Sequence, residues 1–104
     1  MEINIQSLHF NAQQPLIDFI NKKVSKLDQY VEGSVAAQVT LRVVKSEDRT
    51  NKEASLKLLL PEGDLFASKQ TDTFEESIAT AVDAIIKQIG RYKEKKATEL
   101  TKKN

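Results

Sequence analysis

Lys22, Lys23 and Lys26 fall on one flank of a stretch with helical periodicity, and Lys87, Arg91 and Lys95 recur at i, i+4 and i+8 in a second such stretch. Cationic side chains in rows of this spacing suit one kind of chemistry: they neutralise phosphates along a nucleic-acid backbone without reading the bases. The formal net charge of the chain is only +1, so what points to phosphate is where the charges sit and not how many there are. Asp18, Asn21, Asp28 and Glu32 collect on the other flank or the back of the first stretch, and Asp83 and Glu94 stand further round the second. A surface built only for solubility does better with mixed signs. Lysines beside a core also snorkel over apolar neighbours, and either row alone has that ordinary explanation. Two rows on two elements ask for more.

Other chemistries find no constellation. The single histidine, His9, has no cysteine to join it and no metal-ligand spacing. Gly33, Gly63 and Gly90 are isolated, so neither a dinucleotide fingerprint nor a phosphate loop is present. Ser25, Ser34, Ser55, Ser68 and Ser77 have no general base near them in sequence. The acidic pairs Glu75–Glu76 and Glu47–Asp48 serve as helix-start and loop residues. A non-enzyme is expected, with no catalytic residue, metal, cofactor or small-molecule substrate.

The elements that position the charges follow from hydrophobic spacing. Ile3 and Ile5 alternate with polar residues, a short strand to about Leu8. Pro15 opens a helix whose apolar residues Leu16, Ile20, Val24, Leu27 and Val31 keep a 3.6-residue period to about Glu32, with Gly33 as its C-cap. Val39, Leu41 and Val43 alternate, Ser46 to Asn51 form a polar loop, and Ala54, Leu56, Leu58 and Leu60 alternate again, as two hairpin-joined strands would. Pro61-Glu62-Gly63-Asp64 is turn chemistry, and Leu65 to Gln70 make a further strand. Thr73 and Glu76 have capping-box spacing, with Asp72 as an alternative cap, and Phe74, Ile78, Val82, Ile85, Ile89 and Tyr92 form the stripe of a long helix through Gly90.

The expected class is therefore α+β in the order β-α-β-β-β-α: a four-stranded sheet with both helices packed on one face, like a double-stranded-RNA-binding domain in plan. On that plan the two basic flanks converge on one groove. Arg42 and Lys45 on the second strand, with Arg49 and Lys52 near the following loop, extend the positive surface, against Glu47 and Asp48. Tyr30 and Tyr92 adjoin the flanks; packing is their plain use and base stacking the sharper one. The opposite sheet face carries Thr40, Arg42, Lys57, Phe66 and Ser68, mostly polar, with Leu59 and Phe66 as apolar exceptions.

A chain of 104 residues suits one domain, taken as residues 1–97. Residues 98–104 are assigned to a flexible basic C-terminal tail; from Lys87 onward seven basic residues face two acidic ones. The lack of cysteine agrees with a reducing compartment. MEINIQSLHF has no basic start followed by an apolar run, and no apolar stretch approaches the ~20 residues that span a bilayer. A cytoplasmic protein is expected, monomeric in isolation and without a membrane partner.

The strings PLIDFINKKVSKLDQYVE, VTLRVVK, LFASKQ followed by Asp72, and AVDAIIKQIGRYKEKK, in this order and over nearly the whole chain, resemble the ribosome hibernation-promoting factor family, also called ribosome-associated inhibitors. The most specific are KLDQY and KQIGRYKEK. The resemblance implies binding to the small ribosomal subunit, on its rRNA, in the channel where messenger and transfer RNA sit, and inhibition of translation by occupancy. Carried over by position, it implies rRNA contacts from Lys23 and Lys26, from Lys87, Arg91, Lys93 and Lys95, and from Arg42 and Lys45, with Lys22 and Lys96 adding to the same surfaces. DTFEESIAT follows the family pattern only loosely, with Glu75 and Glu76 where small residues are common. Ending soon after the second helix, the chain looks like a short-form member. Two alternatives stand beside this: a generic structured-RNA-binding domain, whose lysines would be expected at the start of the last helix and not late in it, and a protein-interaction module using the open sheet face around Leu59 and Phe66.

Overall fold

The computed structural model describes residues 1–32, 35–61 and 63–102, with side chains as far as residue 93. Its elements are β1 (Glu2–Leu8), α1 (Gln14–Ser25), a 3-10 turn (Lys26–Gln29), β2 (Ala36–Val43), β3 (Lys52–Leu59), β4 (Leu65–Thr71) and α2 (Phe74–Lys102). The expected β-α-β-β-β-α order and α+β class hold. The four strands form one sheet in the order β1-β2-β3-β4. β1 runs parallel to β2, and the other two pairs are antiparallel. A parallel pair needs a crossover, and α1 supplies it.

Alternation puts Ala37, Val39 and Leu41 of β2 and Ala54, Leu56 and Leu58 of β3 on the inner face, all buried. Against them pack Ile20 and Val24 of α1, Leu27 of the 3-10 turn, and Ile78, Ala81, Val82, Ile85 and Ile89 of α2. Both helices therefore share one face of the sheet. One polar side chain is buried with them: Ser77 Oγ donates to the Lys52 carbonyl at 2.6 Å and accepts the Thr71 amide at 3.1 Å, which ties the first turn of α2 to the ends of β3 and β4. Phe10 stacks on Phe74 with ring centroids 5.1 Å apart, closing the same end of the core.

Four local features differ from, or decide between, the expectations. The first helix does not run to Glu32 as α-helix: at Lys26 the amide is shared between the Lys23 and Val24 carbonyls, and the chain tightens into the 3-10 turn, with the Tyr30 amide on the Leu27 carbonyl. Shared acceptors of this kind are usual where an α-helix ends. Gly33, read as its C-cap, lies outside the described residues. Second, Lys45 is not on β2, whose ladder ends at the Val43–Lys52 pair, after which the Val44 amide and the Asn51 carbonyl close the loop at 2.9 Å. Third, Thr73 and not Asp72 caps α2, its Oγ1 accepting the Glu76 amide at 3.1 Å. Fourth, helical backbone continues to Lys102, through residues assigned above to a tail. Among the described residues no helix is long and apolar enough to cross a membrane.

Candidate nucleic-acid interface

The flank of α1 that bears lysine is set by what the opposite flank touches. Ile17 and Asn21 line a cleft with Ile3, Ile5 and Ser7 of β1, and Asp28 pairs with the Met1 amino group at 3.5 Å. At about 100° per residue, Lys23 and Lys26 stand across the core stripe from these groups, on the side that faces α2. Lys23 lies over the Phe19 ring, 5.6 Å from its centroid, which holds its ammonium beside the core without neutralising it. Lys22 and Lys26 are exposed. Lys22 and Lys23 also occupy the last turn of α1, where the helix dipole favours positive charge.

On α2, Gln88 fixes the orientation: its Nε2 donates to the Phe66 carbonyl of the edge strand β4 at 2.8 Å. Lys87 and Arg91 lie beyond Gln88, away from the core, and both are exposed. Lys93 stands about 140° round from Gln88, across the core stripe, and lines a cleft with Tyr30 of the preceding helical segment. The two flanks thus do not both open into one groove. Lys23, Lys26 and Lys93 border the space between the helices, while Lys22, Lys87 and Arg91 cover their solvent-facing side. The physical reason is the period itself: at i, i+4, i+8 the row starts on the back of α2 at Lys87 and drifts by about 40° per step toward the Gln88 flank, across the core stripe from Lys93. Lys95 and Lys96 lie on the same helix, outside the residues whose side chains are described.

The strand and loop cations are less available. Arg42 is bound by Glu53 at 2.6 Å, and Lys52 donates to Asn51 at 3.0 Å with its ammonium 6.0 Å from the Phe74 ring centroid. Lys45 is exposed in the β2–β3 loop. That loop is organised by Asp48, whose Oδ1 accepts the Ser46 and Thr50 hydroxyls, each at 2.5 Å, and the Thr50 amide at 3.2 Å. Those donors hold the carboxyl down at about 2, below the ordinary carboxylate value. Lys22, Lys26, Lys45, Lys87, Arg91 and Lys93 have no ion-pair partner among the described residues.

The open face carries Gln38, Thr40 and Arg42 of β2, Ser55 and Lys57 of β3, and Phe66, Ser68 and Gln70 of β4. Phe66 is 55% exposed and Leu59 is half-buried. Among the described residues no three His, Cys, Asp or Glu side chains gather to hold a metal ion. The cleft at Tyr30 was not legible as a cleft. Its two tyrosines were visible beside the basic rows, but the walls from Leu60 and Pro61 come from a turn remote in sequence.

Residues 3–97 match the family model described as Sigma 54 modulation protein / S30EA ribosomal protein. The ribosome hibernation promoting factor of Pseudomonas putida is 26% identical over 100 residues, which cover 96% of this chain and 94% of that protein. Among solved structures, the Protein Y N-terminal domain of Thermus thermophilus superposes with a TM-score of 0.77 at 24% identity, over 88% of this chain and 99% of that one. A ribosomal subunit interface protein of Coxiella burnetii gives 0.74 at 13% identity, over 90% and 99%. At these identities the two structures establish the fold.

Proposed function

We propose a function that starts from kinship: the chain belongs to the Sigma 54 modulation protein / S30EA ribosomal protein family. It is a ribosome hibernation factor, as its Pseudomonas putida relative is named. It binds the small ribosomal subunit in the channel of messenger and transfer RNA, in the cytoplasm, and inhibits translation by occupying that channel, with no catalytic step. The observation that carries this is the unpaired positive charge of Lys22, Lys26, Lys87, Arg91 and Lys93 on two helices held by one sheet face, while Asp28 is turned to the β1 side. Phosphate contacts of this kind fix position and leave base readout small. Residues 1–97 form the ribosome-binding unit; Lys23, Arg42, Lys45, Lys95 and Lys96 add to its surface.

The test is co-sedimentation with purified small subunits at low and moderate salt, with a free RNA duplex as competitor. Wild type binds saturably, resists the duplex and weakens with salt. The double variant Lys87→Glu/Arg91→Glu loses binding by more than about tenfold and keeps its far-ultraviolet circular dichroism, because both residues are exposed. Normal binding by that variant refutes the assignment of α2. Displacement by the duplex would leave only generic RNA affinity.

A further inference from the structure

β1 is an edge strand, bonded to β2 alone. The Glu2 amide donates to the Val35 carbonyl at 3.1 Å, so in this parallel ladder Glu2, Asn4, Gln6 and Leu8 turn their backbone groups toward β2. Ile3, Ile5 and Ser7 turn theirs outward, where no group among the described residues bonds them. The side chains of the same three residues line a cleft of about 420 Å³ with Ile17 of α1. Backbone and side chains are thus offered together. The opposite edge, β4, is guarded: Gln88 takes its Phe66 carbonyl at 2.8 Å, and Lys69 interrupts it. β1 has neither lysine nor proline, the usual means of blunting an open edge.

We propose that the β1 edge takes an extended peptide segment of alternating apolar and basic residues, added as a fifth strand. Its backbone bonds Ile3, Ile5 and Ser7, and its apolar side chains fill the cleft over Ile17. Charge selects the basic partner. None of the 16 lysines and arginines of the chain precedes Lys22, while Glu2 and Asp18 are both exposed here. Asp28 adds a carboxylate at the start of the strand, matched by the Met1 amino group. RNA is repelled by this side, and a second copy would bring the same acids to the seam. The edge lies at the far end of the sheet from β4, on the α1 flank turned away from Lys23 and Lys26, so a peptide and RNA can be held at once. The inference is independent of the ribosomal reading.

The probe is a capped heptapeptide of alternating valine and lysine, titrated into the full chain and read by amide hydrogen exchange and NMR shifts. In the free chain the Ile3, Ile5 and Ser7 amides should exchange fast and those of Asn4 and Gln6 slowly. Saturation with the peptide should protect the first three, while its backbone N-methylated analogue, of equal charge, should not bind. The double variant Glu2→Lys/Asp18→Lys should weaken the peptide about tenfold and leave small-subunit binding at least as tight. Equal binding of the N-methylated analogue overturns the proposal, since charge alone then holds the peptide. So does unchanged affinity of the double variant. Protection of the three amides that rises with protein concentration in the absence of peptide overturns it too, because the occupant is then a second copy. A protein that fails to sediment with small subunits but binds the peptide in this way keeps the edge site and refutes only the ribosomal function.

Discussion

Arg42 and Glu53 stand directly opposite one another on β2 and β3, joined Nη2 to Oε1 at 2.6 Å on the open face of the sheet. The pair changes what Arg42 can offer. Half of its side chain remains exposed, but its guanidinium meets RNA already half-neutralised, whereas Arg91 has no partner among the described residues. A pair this exposed contributes at most about 1 kcal/mol to the fold, so removing it costs little stability. Arg42→Ala should reduce small-subunit affinity less than Arg91→Ala does. Glu53→Gln should raise it and steepen the salt dependence by about one phosphate contact. Binding isotherms at three salt concentrations decide; a weakening in Glu53→Gln would place Arg42 outside the interface.

Ser77 joins helix to sheet through the only polar side chain counted among the fully buried ones of the described core. Its replacement by alanine leaves the Lys52 carbonyl and the Thr71 amide without the hydroxyl they share. Ser77→Ala should cost about 1–3 kcal/mol, the usual penalty for stranding buried polar groups. Urea unfolding with an unchanged slope measures it. A loss below a few tenths of a kcal/mol would mean that water or a shifted Thr71 Oγ1, now 2.7 Å away, replaces the bond.

The fold was legible because its period signals are unmixed. Val39 and Leu41, Leu56 and Leu58, and Ile78 through Ile89 each keep one period, and all are buried. What the sequence hides is where a regular element gives way. Leu27 and Val31 continue the helical spacing of α1, yet the backbone tightens at Lys26, because 3-10 and α turns bury Leu27 equally well. Lys45 follows two valines and reads as strand, but the ladder ends when Val44 turns to bond Asn51 across the loop.

The candidate site was legible in its residues and less so in its shape. A helical wheel sorts Lys87 and Arg91 away from the core, but only the Gln88–Phe66 bond shows which way round α2 lies over the sheet. That contact spans 22 positions and has no local signature. Arg42 and Glu53 likewise look like independent charges until the register pairs them.

Gly90 sits in the middle of α2, exposed, with nothing within 4 Å of where a Cβ would lie. Glycine there costs the helix about 1 kcal/mol relative to alanine through backbone entropy. Gly90→Ala should therefore stabilise the protein by about 1 kcal/mol and raise Tm by about 4–8 °C, read by thermal circular dichroism. The same variant tests the interface: Gly90 is exposed next to the exposed Arg91, so a gain in stability with lost small-subunit binding would mean that RNA approaches the bare backbone there.

Asp48 gives a prediction for acid. Its carboxyl is held at about 2 because three donors, the Ser46 and Thr50 hydroxyls and the Thr50 amide, favour the ionised form in the folded loop. The folded value lies below the unfolded one of about 3.9, so its contribution is complete above pH about 4 and is lost as pH falls from there toward 2. In that window the unfolded chain binds a proton that the folded loop refuses. Asp48 is exposed, and solvent screening makes the effect on stability small, so the sharper measurement is the Thr50 amide resonance followed by NMR through acid titration. Its midpoint should fall near 2 in the wild type, and the step should be absent in Asp48→Asn, whose Tm should differ from wild type at pH 6 and converge with it near pH 2. A midpoint at the ordinary carboxylate value would mean that the Ser46 and Thr50 hydroxyls turn to water in solution and that the β2–β3 loop carrying Lys45 is not pinned by Asp48.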